Sequence, residues 1–576
     1  MFSYHTALRC FRRSNPKILH ISYKPVSQKA REAVDTTHDL FEYTSGRWIY
    51  NELLRLSERS LILNVRELKR AAASSIHRHE DDIKSFTKLA EGGFNRVFEI
   101  TMNDDVQILA RLPYPSTAPK RLTVASEVAT LDLIRSHDIP VPKILSYSTD
   151  PDNSIGSEYI IMEKAPGEPI GKSWYTLSDK ERLKVLMGLV KLETKLFAID
   201  LPASGGLFYS HDLPPEAKGV VVRSYKSGRG EICVGPDASL KWWYGERALL
   251  RGINRGPFLD TRESLMAVAE KELAWLRSHG RSRFPFERAY REATSYQKST
   301  PEEYMTTLEK YLKIAPYLIP DDKSLHRPIL RHPDLQPNNI FVSKDLDIVG
   351  LIDWQHCSAL PLFLSAGLPQ YIQNYDDEES LRFIPPKLPE TLEMNPDERS
   401  AALERFRRRH LHFYYLGFTK RFNPSHFHGL TYDGSVLKRK AFTHAGNPWE
   451  GNNAQLKADL VHIVQNWDSI VAPAGANASS SSECNVPPCP ISFSPSEAQD
   501  ALRIEREYEE TDSQLSQIRD AIGVNVDGWT SNEMFEEAVA RAKEFKKMAI
   551  NSVSDSKFDQ EMTEKHWPFD DFDEGE

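Results

Sequence analysis

The sequence predicts an α+β protein in two unequal parts, the first mostly β and the second mostly helical. Three observations predict it. Between Ile83 and Met162 the apolar pattern runs strand, strand, helix, strand, with turns of Gly, Asn and Asp between. From Ser178 onward the apolar spacing is helical. Two short apolar strands, 340–342 and 348–352, then interrupt the helices around the turn Ser343-Lys344-Asp345.

Bulk properties bound the rest. The 576 residues allow roughly three to five folding units. No apolar run approaches the roughly 18 to 20 residues of a bilayer-spanning helix, so no transmembrane segment is expected. A net charge of −9 argues against nucleic acid as the main partner, because coating phosphates needs a basic surface. The charge is unevenly placed: Arg9, Arg12, Arg13, Lys17, Lys24, Lys29 and Arg31 all precede the first acid, Glu32. An acid-free, Arg-rich start with interspersed Phe2, Leu8, Phe11, Ile18 and Leu19 suits a mitochondrial presequence over residues 1–35, and mitochondrion is the expected location. A basic disordered arm has the same composition. Five cysteines, odd in number and without CxxC spacing, predict free thiols and neither a disulfide framework nor a zinc site.

In chain order, Leu53, Leu54, Leu56, Leu61, Leu63 and Val65 interleave with charges and predict an N-terminal helical extension over 36–82. The mostly β part spans 83–162. It opens with two strands around Glu91-Gly92-Gly93-Phe94-Asn95, continues with a strand over 106–112, and adds a helix carrying Val124, Val128, Leu131 and Ile134. Glu163-Lys164-Ala165-Pro166-Gly167 reads as a hinge into a helical part over 163–472, where Ser178 caps the first long helix. A Ser/Pro-rich linker is expected over 473–496, further helices over 497–552, and an acidic, solvated tail over 553–576.

The chemistry concentrates in Leu330-Arg331-His332-Pro333-Asp334-Leu335-Gln336-Pro337-Asn338-Asn339, an HxDxxxxN pattern, with Asp353 fourteen residues after the Asn. Phosphoryl transfer asks little covalent work of a protein, but it needs a carboxylate on the acceptor and oxygen ligands for magnesium on the phosphates. Asp334 can orient a substrate hydroxyl and take its proton, Asn339 can offer a carbonyl oxygen, and Asp353 can bridge metal and phosphates. His332 suits holding the loop. Upstream, Gly92 and Gly93 permit close backbone approach to phosphate and positive φ, although a plain hairpin turn reads the same in isolation. Arg111 on the next strand and Glu127 on the following helix have the order of a phosphate-facing cation and the acid that fixes it; a surface pair would also have this order.

At these residues the chain resembles the aminoglycoside phosphotransferase and choline kinase-like family, a branch of the protein-kinase-like fold. The resemblance implies a bilobal fold, with a mostly β N-lobe and a helical C-lobe, and ATP with magnesium between them. It implies Asp334 as the catalytic Asp, with His332 beside it, and Asn339 and Asp353 as metal ligands. Gly92, Gly93, Asn95, Arg111 and Glu127 would serve the nucleotide phosphates, and Met162, Glu163 and Ala165 the adenine. Tyr43-Thr44-Ser45-Gly46-Arg47-Trp48, the Glu91–Asn95 turn and the Met162–Gly167 hinge also look like the fungal altered inheritance of mitochondria protein 9 group.

Three departures stand out: Arg111 where the fold usually has Lys, a phosphate turn without full GxGxxG spacing, and Gln336-Pro337-Asn338 where relatives often show His and Gly. The expected activity is ATP- and magnesium-dependent phosphate transfer to a hydroxyl of a small molecule whose identity the sequence leaves open, as it does the oligomeric state. The alternative is a catalytically impaired, nucleotide-binding pseudokinase acting as a mitochondrial scaffold. No activation-segment signature between Asp353 and Leu381 favours a protein substrate.

Overall fold

The computed structural model describes residues 38–223, 228–375, 377–390, 394–471 and 487–576. The expected presequence, the linker as far as residue 486, and Cys10 and Cys484 lie outside the described residues.

Alternating burial builds the first part. Strands β2 (Ile83–Glu91), β3 (Asn95–Met102), β4 (Gln107–Pro113), β5 (Ile144–Ser148) and β6 (Tyr159–Glu163) form one antiparallel sheet in the order β2-β3-β4-β6-β5. The period of two divides its side chains between two cores. Phe98, Ile100, Met102, Ala110, Leu112 and Ile161 pack with Val65, Leu68, Ala72 and Ala73 of a preceding helix. Ile160 and Met162 point the other way, into the main core. Between sheet and helical lobe lies α3 (Leu122–Arg135), buried almost all round, so its sequence shows little amphipathic contrast. Sequence reasoning missed β5, an edge strand whose only fully buried side chain is Ile144.

The extension ahead of the sheet is less helical than expected. It holds β1 (Arg47–Trp48), α1 (Glu52–Glu58) and α2 (Val65–Ser75), separated by irregular chain. In α1 the buried side chains are Arg55 and Glu58, a polar pair that no apolar pattern reveals.

After β6 the chain crosses into the second part through Gly167, at φ +79, where a Cβ would collide with Val342 O. It then forms β7 (Glu168–Pro169) and α4 (Asp179–Phe197), the latter closed by a Ser178–Glu181 capping box. Two small sheets follow, β8 (Gly206–Tyr209), β10 (Ile232–Gly235) and β9 (Val220–Val221) in the order β8-β10-β9, and β11 (Pro328–Ile329) with β14 (Leu360–Pro361). The strands β12 (Ile340–Val342) and β13 (Ile348–Leu351) join β7 in a third, ordered β13-β12-β7. The surrounding helices, among them α5 (Thr261–His279), Pro301–Ile314, Pro396–Phe422, Ser435–Gly446 and Ala454–Gln465, share the largest core. Trp174 and Trp242 are buried there.

Further on come helices Pro495–Ile522, Phe535–Ser552 and Lys557–Lys565, with β15 (Trp529–Thr530) pairing antiparallel with β1. The second of these starts after Met534, although the serine at Ser531 gives the sequence an earlier capping candidate for it. The acidic end is not simply solvated: Trp567 and Phe569 are buried, and its carboxylates meet buried arginines. Acids alternating with aromatics hide that outcome from a charge count. No described helix is long and apolar enough to cross a membrane.

Candidate active site

The hairpin β12–β13 sets the centre. Ile340 pairs with Leu351, so Asn339 just before β12 lies beside Ile352 just after β13, and Ile352 N–H donates to Asn339 O at 3.1 Å. His332 ties the loop to the same place. Its Nδ1 accepts the Asp334 N–H at 3.1 Å, which assigns the proton to Nε2, which donates to Ile352 O at 2.8 Å. Burial pushes this imidazole down to about 4, so it is neutral and fully engaged as a brace.

Asn339 Nδ2 donates to the Asp334 carbonyl at 2.8 Å and leans on Oδ2 at 3.3 Å, which turns the Asn339 side-chain oxygen away from Asp334. Gln336 Nε2 donates to the same Asp334 Oδ2 at 2.7 Å. Across the loop, Gly171 makes a close contact: a Cβ there would collide with Asn338 Oδ1 unless that side chain moved. Neither the Gln336 nor the Gly171 contact was anticipated, because each is specified by side-chain length and not by spacing.

A second cluster converges from the sheet. Arg111 on β4 bonds Glu127 on α3, and its Nη2 reaches Asp353 Oδ1 at 2.5 Å and Gln355 Oε1 at 2.9 Å. Turning the Asn95 amide so that its oxygen faces Arg111 adds bonds of 2.7 and 3.1 Å. Burial opposes the Arg111 charge, but Glu127 and Asp353 raise its pKa. Burial pushes the Glu127 carboxyl up to about 7, with Arg111 pulling it back. Burial also works to raise Asp353, yet Arg111 holds it below the usual carboxylate range. Asp353 sits at φ 67, a left-handed conformation costing a non-glycine residue roughly 1–2 kcal/mol and characteristic of functional positions.

The glycine turn reaches this cluster through its neighbours. Gly92 N–H closes the turn on Asn95 O at 2.9 Å. Neither Gly92 nor Gly93 uses positive φ, contrary to expectation; a Cβ on Gly93 would meet nothing within 4 Å, so what these glycines supply is room. Asn95 lies 2.6 Å from Gln355, and Phe94 sits edge-on to His356 with centroids 5.2 Å apart. Gln355 therefore belongs with the site residues. No spacing in the sequence announced it: Asp353 and His356 both sit at positive φ, so no strand alternation runs from Asp353 to Gln355.

The expected adenine segment stands at the end of β6. Met162 points into the main core, Glu163 N–H donates to Lys143 O at 2.9 Å, and Ala165 Cβ lies 3.3 Å from where a Cβ on Gly350 of β13 would be. So Asp334, His332 and Asn339 form one group, and Asn95, Arg111, Glu127 and Asp353 another, joined through Ile352. Gly92, Gly93, Met162, Glu163 and Ala165 flank the two.

The Asn339 side-chain oxygen and the Asp353 carboxylate are hard donors of the kind magnesium takes together with substrate phosphates. Among the described residues no three His, Cys, Asp or Glu side chains gather into a complete metal cage. The donor set thus fits an ion carried in on phosphates better than a resident one.

Residues 85–363 match the phosphotransferase enzyme family. The chain carries a domain of that family. Its sheet-then-helices layout is the mixed α+β, protein-kinase-like architecture, with the phosphotransferase-family segment running from β2 to just past β14. The chain is 28% identical over 526 residues to the subtelomeric hrmA-associated cluster protein of Aspergillus fumigatus, covering 85% of this chain and 98% of the other. It is 27% identical over 319 residues to altered inheritance of mitochondria protein 9, mitochondrial, of Saccharomyces cerevisiae, covering 50% of each. Among solved structures, Plasmodium vivax ethanolamine kinase aligns over 73% of this chain and 82% of its own, with 12% identity and a TM-score of 0.31. The streptomycin–ATP complex of APH(2'')-IIa aligns over 71% and 99%, with 13% identity and a TM-score of 0.32.

Proposed function

We propose that this phosphotransferase-family protein uses ATP and magnesium to phosphorylate a hydroxyl of a small molecule in mitochondria. The observation that carries the reading is the convergence of Asp334, Asn339 and Asp353 on the two ends of one hairpin, tied together by His332 and Ile352. The acid-free basic start and the likeness to proteins named mitochondrial support the location.

In this reading Asp334 orients the acceptor hydroxyl and takes its proton as the oxygen bonds to the terminal phosphorus and the nucleoside diphosphate leaves. Gln336 and Asn339 hold the Asp334 carboxylate in one orientation. The Asn339 oxygen and Asp353 hold magnesium, which when bound neutralises charge on the phosphate oxygens. Arg111, fixed by Glu127, presents its cation to those oxygens; Gly92, Gly93 and Asn95 cover the phosphates, and the Met162–Ala165 backbone faces the adenine.

A second reading has one specific observation behind it. Arg111 pairs directly with Asp353, so a protein that binds nucleotide weakly with metal, or without it, would serve as a nucleotide-responsive scaffold. The test is transfer of labelled phosphate from ATP into a mitochondrial metabolite extract, alongside nucleotide binding by calorimetry. Loss of transfer with binding retained in Asp334→Ala supports the enzyme. Binding without transfer in the unaltered protein supports the scaffold, and transfer unaffected in Asp334→Ala sinks the role given to Asp334.

A further inference from the structure

The glycine turn is anchored from behind by Glu91, whose carboxylate is fully buried although it begins an exposed turn. It accepts the Thr44 and Ser45 N–H groups, each at 2.9 Å, and the Ser45 hydroxyl at 2.7 Å, and it pairs with Lys88 at 2.9 Å and Arg96 at 3.1 Å. The position of the turn thus depends on where residues 44 and 45 are held.

Those residues are held by the far end of the sequence. Asn532 donates to Thr44 O at 2.8 Å, β15 pairs with β1, and Trp48 Nε1 donates to Asp527 at 3.1 Å. The fit allows no slip, since a Cβ on Gly46 would collide with Thr530 O and one on Gly528 with the Tyr50 ring.

Asn51 completes the connection. In a left-handed conformation at φ 51, it treats Phe572 as a neighbouring strand would. Its Oδ1 accepts the Phe572 N–H at 2.9 Å, its Nδ2 donates to Phe572 O at 3.1 Å and to Glu574 at 3.0 Å, and its backbone N–H donates to Asp571. Buried Arg55 pairs with Glu574. The same acidic segment is gripped from the helical lobe: Arg281 donates to Gly575 O, Arg288 to Asp570 O at 3.3 Å, and Arg291 pairs with Glu576 at 3.5 Å. Phe572 lies between Tyr50 and Phe286, at centroid distances of 6.4 and 5.8 Å.

We propose that Asn51 is a positioning residue for the glycine turn, acting through a strap in which segment 570–576 ties the N-terminal extension to the helical lobe and the extension ties to Glu91. The strap joins the two lobes by a route independent of the Glu163–Gly167 segment expected as a hinge. Its grip on the helical lobe is mostly through backbone carbonyls, Gly575 O on Arg281 and Asp570 O on Arg288, with Glu576 on Arg291 the ion pair among these contacts. Calling the turn a phosphate cover rests on the proposed function; the strap does not.

The experiment is amide hydrogen exchange on the full chain, read separately over 92–97, 340–351 and 565–576. Asn51→Gly keeps the left-handed backbone and removes the amide; Asn51→Asp sets a carboxylate against Asp571 and Glu574. The expected result is roughly tenfold faster exchange over 565–576 and over 92–97 in either variant, with 340–351 unchanged. Asn532→Ala, which removes only the exposed bond to Thr44 O, should also speed exchange over 92–97 with 340–351 unchanged, which covers the case of an Asn51 variant that fails to fold. Faster exchange confined to 565–576 overturns the proposal, as does loosening of all three regions together. A nucleotide titration separates the two readings: a looser turn with unchanged nucleotide affinity leaves the strap standing and removes the phosphate role of the turn.

Discussion

Arg111 lies on the sheet and Asp353 just beyond the β12–β13 hairpin, yet Nη2 of one is 2.5 Å from Oδ1 of the other, with Glu127 and Gln355 on the same guanidinium. Arginine can do this because its planar fork reaches several acceptors at once, which a lysine ammonium in its place could not do in the same geometry. The substitution therefore reshapes the site instead of merely preserving a charge.

Removing that cation should be expensive for the fold. Arg111→Ala leaves Glu127, 3% exposed, as a buried carboxylate without its partner, and urea unfolding should show a loss of about 3–5 kcal/mol. Arg111→Met combined with Glu127→Leu should recover most of it, since neither charge then remains buried. A single-variant loss below about 1 kcal/mol would mean the cluster is not the packed unit described.

Gly171 and Asn338 should behave as a coupled pair. Gly171→Ala drives a methyl into Asn338 Oδ1 and displaces the loop carrying Asp334 and Asn339, costing about 1–3 kcal/mol. Asn338→Gly removes the obstacle, so the double variant should regain stability by more than additivity allows. Additive losses would place the strain elsewhere.

Stability should fall on the acid side because two imidazoles are folded in neutral form. Burial pushes His332 and His356 each to about 4, against an ordinary 6.5. Folded values lower than unfolded ones mean that this stabilisation is complete above pH 6.5 and is lost as pH falls toward 4. Each shift corresponds to at most about 3 kcal/mol; discounting for partial ring exposure, about 1–2 kcal/mol each is expected. His332→Gln, which can still accept from Asp334 and donate to Ile352, should flatten the decline in Tm between pH 6.5 and 4.5. An unchanged slope would assign acid sensitivity to other groups.

Much of this centre was legible in the sequence, and the reason is local. His332, Asp334, Asn339 and Asp353 fall within 22 residues, in loops flanking strands whose apolar pattern fixes their register. Arg111 and Glu127 are 16 apart on consecutive elements. What escaped depends on distance or on exact side-chain reach. Asn51 and Phe572 are 521 residues apart, and nothing in a run of acids and aromatics says which arginines it will meet. Likewise Gly92 and Gly93 suggested positive φ from composition, whereas the turn closes without it and leaves only space. Short polar elements such as α1 and the edge strand β5 bury too little apolar surface to announce themselves.

Gln336 gives the sharpest test of the catalytic assignment, because its amide meets the carboxylate that would take the proton. The 2.7 Å bond to Asp334 Oδ2 comes from an amide, which does not itself titrate. Gln336→Ala removes that bond, and kcat should drop about tenfold while the nucleotide KM stays within about twofold, as expected for lost orientation of a base. Gln336→Glu instead sets a second carboxylate beside Asp334, which raises the pKa of the pair and should move the acidic limb of kcat to higher pH. The measurement is the pH profile of phosphate transfer in both variants. A profile identical to that of the unaltered protein in Gln336→Glu would mean that Asp334 is not the titrating base, however well placed it is.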